Sequence, residues 1–113
     1  MTIRYTTSYN ETIPFSDTCA QINLAANTAQ TYTLPGDGSQ KYILTFGLPS
    51  SANAWIGYNV TATTPASGTQ SATAGLEFII PGMQRYAIGG DVLSLKSSDT
   101  NAQIGISIRS IPN

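Results

Sequence analysis

Six carboxylates, one thiol and no imidazole make up most of the reactive chemistry that this 113-residue chain can offer. Without histidine there is no Ser-His-Asp or Cys-His nucleophile, no histidine-ligated zinc, and no side chain of the type that most often serves as a base near neutral pH. The single cysteine, Cys19, excludes an internal disulfide, a thiolate zinc cluster and Cys-x-x-Cys redox chemistry. It stands in Asp17-Thr18-Cys19-Ala20-Gln21 with no base or run of cations beside it, and reads as a small buried residue rather than a nucleophile. The carboxylates are Glu11, Asp17, Asp37, Glu77, Asp91 and Asp99. A glycosidase needs two of them facing each other across a cleft, whereas Asp91 and Asp99 fall at opposite ends of one strand-like segment. Asp37 in Gly36-Asp37-Gly38 and Asp91 after Gly89-Gly90 read as turn formers, with a weak calcium site as the sharper alternative. Neither glycine cluster opens a helix or precedes a Lys-Ser/Thr pair, so neither is a phosphate loop. The sequence reads as a non-enzyme with no cofactor and no metal.

The elements that position these residues are strands. Glycine and proline recur too often to leave a window of helical period long enough for a stable helix. The strongest strand is Gln103–Arg109, which places Ile104, Ile106 and Ile108 on one face. Lys41–Phe46 groups Tyr42, Leu44 and Phe46, Ala54–Val60 groups Ile56, Tyr58 and Val60, and Val92–Lys96 groups Leu93 and Leu95. Weaker strands are expected over Gln21–Leu24, Gln30–Leu34, Leu76–Ile80 and Arg85–Ile88. Turn signals separate them, including Pro35-Gly36-Asp37-Gly38, Pro49-Ser50-Ser51, Pro81-Gly82 and Gly89-Gly90-Asp91. About eight short strands at this spacing predict an all-β fold, an antiparallel β-sandwich of jelly-roll type. Residues 14–113 form one domain on this reading, and residues 1–13 are an N-terminal arm or edge strand. The plain account of the arm is a loose terminus; the functional one is a strand added to a neighbouring copy's sheet.

Composition narrows the partners. Charged residues are only 10% of the chain, against about 25% in an average soluble domain. The polar surface is supplied instead by 15 Thr, 12 Ser, 7 Asn and 6 Gln. Arg4, Lys41, Arg85, Lys96 and Arg109 are scattered, so no basic patch is offered to nucleic acid. A net charge of −1 leaves little repulsion between copies, and self-association is unopposed. No stretch approaches a membrane span, and Met1–Tyr5 has no apolar run of signal-peptide length. With an unpaired cysteine, the expectation is assembly in a reducing cytosol.

Aromatic side chains are the remaining candidates for recognition. Tyr58 shares the face of Ile56 and belongs to the core by default, while Trp55 falls on the opposite face beside Gly57 and Asn59. An exposed Trp there would suit a subunit interface or, less directly, a sugar ring. The segment 61–75, built of small polar residues, is either a long exposed loop or a loop that orders on contact. Contacts are therefore expected at Ile3, Arg4, Tyr5 and Tyr9 of the arm, at Thr64 and Gln70 of the loop, and at Trp55.

The run Gly82-Met83-Gln84-Arg85-Tyr86-Ala87-Ile88-Gly89-Gly90-Asp91-Val92-Leu93-Ser94-Leu95, followed by Ala102–Arg109, resembles small virion structural proteins of tailed bacteriophages. In such chains a strand ending in Gly-Asp-Val-Leu leads to a final Ile-rich strand, and the Ala54-Trp55-Ile56-Gly57 segment is in the same style. The resemblance implies a capsid decoration or cement protein. Such a protein is a small, commonly trimeric β-domain that binds the major capsid protein on the outside of the head and clamps the shell. It would be assembled in the host cytoplasm, reside in the virion, and contact neither nucleic acid nor membrane. No family catalytic residues carry over. A head-fibre, tail or spike component and a carbohydrate- or receptor-binding β-sandwich module are the alternative readings.

Overall fold

The computed structural model describes residues 15–65, 68, 71 and 74–111, and every regular element among them is a β-strand. In chain order these are β1 (Thr18–Leu24), β2 (Gln30–Thr33), β3 (Lys41–Gly47), β4 (Trp55–Tyr58), β5 (Leu76–Phe78), β6 (Gln84–Ile88), β7 (Val92–Lys96) and β8 (Ala102–Ser110). Each falls on a segment that the alternation predicted, with only the ends displaced. They build two four-stranded antiparallel sheets in the orders β1-β8-β3-β6 and β2-β7-β4-β5. Every connection except β4 to β5 passes from one sheet to the other, which is the interleaved arrangement of a jelly roll.

The core lies between the sheets because each strand turns its apolar alternate residues inward. Ile104, Ile106 and Ile108 of β8 meet Tyr42, Leu44 and Phe46 of β3 and Ala20 and Leu24 of β1 on one sheet. Leu93, Leu95 and Ile56 face them from the other. Removing each large side chain from water contributes about 1.5–3 kcal/mol, so β8, with three such residues, anchors its sheet. At one end of the sandwich two turns pack tightly. A β-carbon on Gly89 would stand 2.5 Å from the Asp37 carbonyl oxygen and 2.6 Å from that of Pro35, so only glycine lets the 89–90 turn lie against the 35–38 turn. Asp37 shapes that turn as expected, accepting the Ser39 amide at 2.9 Å and its hydroxyl at 2.6 Å. These bonds, the hydroxyl foremost, hold its carboxyl below the usual carboxylate range.

Three expectations are corrected. Cys19 is exposed, not buried, because β1 begins at Thr18 and its parity is fixed by Ala20. Ala20 pairs with Ile106 and points inward, so Cys19, opposite Ser107, points outward. Val60 does not share the face of Ile56 and Tyr58. The chain leaves β4 after Tyr58 through Asn59, whose φ of 57° reverses its direction, and Val60 folds back over Gly57. Finally, the start of the 61–75 segment is not a free loop. The Ala62 amide donates to the Ser94 hydroxyl at 2.9 Å, and Ala62 is fully buried on the outer side of β7.

Candidate functional site

Exposed apolar surface is concentrated on one flank of the sandwich. Strand β5 is the edge of one sheet and β6 the edge of the other, and the corner through Ile79–Met83 joins them. The corner is fixed by backbone bonds from Ile79 to the Ala54 carbonyl at 2.9 Å and from Gly82 to the Phe46 carbonyl at 2.7 Å. Among the described residues five large apolar side chains are exposed: Phe15, Phe78, Ile80, Tyr86 and Ile88. All but Phe15 lie on β5, β6 or the corner between them. Tyr86 is the most open of these four, at 80%. They follow one edge of the sandwich but not one face: Phe78, next to inward Glu77, faces out of one sheet, and Tyr86 and Ile88, on either side of inward Ala87, face out of the other. Large apolar side chains left in water along one edge are candidates for contact with another molecule.

Trp55 belongs to this flank. It pairs with Phe78 across β4 and β5, and the rings meet edge to face with centroids 5.0 Å apart and planes at 64°. Such a pair adds about 0.5–1.5 kcal/mol beyond its buried area and holds the Phe78 ring in place at the surface. Trp55 is thus half-buried rather than fully presented, and Phe78 carries the exposed part of the pair.

Between the two edge strands sits a charged clasp. Glu77 pairs with Ile56 and Arg85 with Leu44, so both side chains turn toward the space between the sheets. The Arg85 Nε donates to both carboxylate oxygens of Glu77 at 3.0 and 3.1 Å, and its terminal nitrogen donates to one of them as well. The guanidinium holds the Glu77 carboxyl below its usual range, and the carboxylate in turn raises Arg85. The clasp residues also line a cleft of about 240 Å³, together with buried Leu44, Phe46, Ile56 and Leu93 and the more open Met83 and Tyr86. Tyr58 also lines this cleft. Its hydroxyl donates to the Asp91 carboxylate and accepts the Ile88 amide at 3.3 Å, which ties β4 to the β6–β7 turn. Burial foremost, and then the Asp91 bond, raises the Tyr58 phenol.

The carboxylates weighed as catalytic groups are engaged in structure. Asp17 accepts the Ser110 amide at 2.9 Å, and Asp99 accepts the Asn53 amide at 2.8 Å. Asp37, Glu77 and Asp91 have the partners given above. Among the described residues no group of three or more His, Cys, Asp or Glu side chains is placed to hold a metal ion. Glu11 lies outside the described residues.

Of the contact residues expected from sequence, Ile3, Arg4, Tyr5, Tyr9 and Gln70 lie outside the described residues. Thr64 is half-buried in the irregular stretch after β4, and Trp55 joins the apolar flank through Phe78. The flank residues Phe78, Ile80, Tyr86 and Ile88 were not among the expected contacts. A signal for them exists: Leu76–Ile80 and Arg85–Ile88 carry apolar residues on both alternating faces, and a strand with one face in water does not need that. Compared with family models, with curated proteins and with solved structures, the chain matches none.

Proposed function

We propose that this chain is a capsid decoration protein of a tailed bacteriophage. It binds the outer surface of the head through the major capsid protein, associates with its own copies, commonly as a trimer, and stabilises the shell without catalysing a reaction. The observation that carries this reading is the row of exposed apolar side chains Phe78, Ile80, Tyr86 and Ile88 along the β5–β6 edge, with Trp55 packed against Phe78. Three further features support it. The jelly roll is an architecture used in viral shells as well as lectins. A net charge of −1 spread over a Thr- and Ser-rich surface suits crowded, repeated packing against neutral protein. The resemblance of Gly82–Leu95 and the Ile-rich β8 to small virion proteins points the same way. Modest contacts repeated over several shell subunits and several copies would sum to firm attachment.

The decisive experiment mixes the purified chain with empty, undecorated heads and measures bound copies and shell rupture under heat or osmotic shock. Saturable binding that raises the rupture threshold supports decoration. Binding to tails or fibres instead would support the second virion role. Glycan binding with no attachment to any virion part would support a sugar-binding module, for which Tyr86 is the most exposed aromatic ring on the flank.

A further inference from the structure

We infer that the cleft lined by Glu77 and Arg85 is a binding site for a free short-chain aliphatic carboxylate, which lays its alkyl tail between the sheets and its carboxylate on Arg85. The inference goes beyond the capsid reading and does not depend on it. The cleft measures about 240 Å³. Protein interiors rarely leave a void larger than one water, and a water takes up about 30 Å³ in the liquid, so this space has room for about eight atoms of that size. It follows from what the two edge strands place inward. Glu77 pairs with buried Ile56 and Arg85 with buried Leu44, so two inward positions that apolar side chains would fill carry charges instead. The charges turn to one another and stay exposed, while Leu44, Phe46, Ile56, Leu93 and Met83 line the space with carbon. Water among such side chains finds few partners, and apolar cavities stay dry or take apolar guests.

The polar side chains of the lining select the head of the guest. Tyr58 is engaged in both directions, donating to Asp91 and accepting the Ile88 amide. Both Glu77 oxygens accept from Arg85. Arg85 gives its Nε and one terminal nitrogen to Glu77, and its other terminal nitrogen to the Gln84 carbonyl at 2.6 Å. A guanidinium carries five N–H donors, so one on each terminal nitrogen has no acceptor among the described residues. A carboxylate takes two such donors at once, and its bonds to a guanidinium are among the stronger ones in proteins. Arg85 then bridges two carboxylates, Glu77 and the ligand's, and the two compete for it. The opening is tied at both ends. The Ile79–Met83 corner joins β5 to β6, with the Gly82 amide on the Phe46 carbonyl at 2.7 Å, and the Tyr58 bonds hold β4 to the far end of β6. A site shaped before binding loses little freedom when it takes a ligand.

The test uses the full-length chain with no heads present, so its outcome is independent of whether the protein decorates a shell. The straight-chain series from butanoate to dodecanoate is titrated in, and the methyl resonances of Ile56, Met83 and Leu93 are followed. Affinity is expected to rise about fourfold for each methylene from butanoate to octanoate, the factor for burying one such group, and to stop rising once the tail outgrows room for about eight atoms. Arg85→Gln is expected to weaken octanoate binding about tenfold or more, as the charged hydrogen bonds are lost. Glu77→Gln removes the competing carboxylate and is expected to tighten it. Opposite signs separate recognition of the head from a general loosening of the clasp, which would move both variants the same way, and circular dichroism checks that both remain folded. No saturable shift up to about 10 mM, affinity independent of chain length, shifts confined to residues outside the cleft, or both variants moving in one direction would each overturn the inference. Tightening by Arg85→Gln with loss by Glu77→Gln would overturn it too, in favour of a cationic guest.

Discussion

Val60 lies back over Gly57 so closely that a β-carbon on that glycine would stand 2.3 Å from the Val60 carbonyl oxygen. The contact lets the chain after β4 cover the outer side of its own sheet, next to the flank that carries Trp55 and Phe78. Alanine at 57 must push this segment away. Gly57→Ala is expected to cost about 1–3 kcal/mol, the usual penalty of overpacking. Gly105→Ala, where nothing stands within 4 Å of the added carbon, serves as the control and is expected to stay within about 0.5 kcal/mol. Urea midpoints measure both.

The same segment depends on Ser94, whose buried hydroxyl accepts the Ala62 amide. Ser94→Ala leaves that N–H without a partner and is expected to cost about 1–3 kcal/mol. Hydrogen exchange should show the loss first at the Ala62 amide, before global unfolding. Unchanged protection there would contradict the assigned bond.

On the flank, binding and stability should separate. Tyr86→Ala combined with Ile88→Ala removes exposed side chains, so the unfolding free energy should move by roughly 0.5 kcal/mol or less. Occupancy on empty heads should fall at least roughly tenfold, since a few clustered apolar residues carry most of an interface's energy. Retained occupancy would move the shell contact elsewhere on the domain.

Acid should loosen the clasp between β5 and β6. The folded carboxyl of Glu77 titrates below its ordinary value of 4.5, held there by Arg85. Its contribution is therefore complete above the unfolded value and disappears as pH falls through the lower, folded one. In urea titrations from about pH 7 to about pH 3, the parent chain is expected to lose stability on the acid side more steeply than Glu77→Gln. Parallel curves would mean that the pair does not persist in solution.

Alkali tests Tyr58 with the opposite sign. Its phenol is raised from the ordinary value of 10.0, chiefly by burial. The folded state therefore holds the proton more tightly than the unfolded chain does, and stability is lost as pH climbs from the unfolded value toward the folded one. Tyr58→Phe should lower stability near neutral pH by about 0.5–1.5 kcal/mol through the lost hydrogen bonds, and flatten the alkaline decline.

The strands were legible because each carries its own evidence. Ile104, Ile106 and Ile108 alternate without interruption, and Pro35-Gly36-Asp37-Gly38 can only be a turn. What escaped depends on distant residues. The fate of Val60 follows from the left-handed turn at Asn59 and the bare backbone of Gly57, and a local alternation rule sees neither as a reversal. The side of Cys19 follows from where β1 starts, which its pairing with β8 decides. The apolar flank was half-legible. Phe78 and Ile80 stand out on a strand whose other face is also occupied, but only the sheet order shows that β5 and β6 are both edges and bring these residues to one side.

Thr18 at the start of β1 lies opposite Ile108 near the end of β8. The first strand therefore has no partner in its sheet until the last one has been synthesised, and a ribosome must release nearly all of the described chain before that sheet can close. Closing such a long span costs entropy before any contact repays it, which places the domain among slow folders on the millisecond-to-second scale. Nascent copies with bare β1 strands would meet one another during that delay, so the rate of synthesis would itself influence whether chains mature correctly or aggregate.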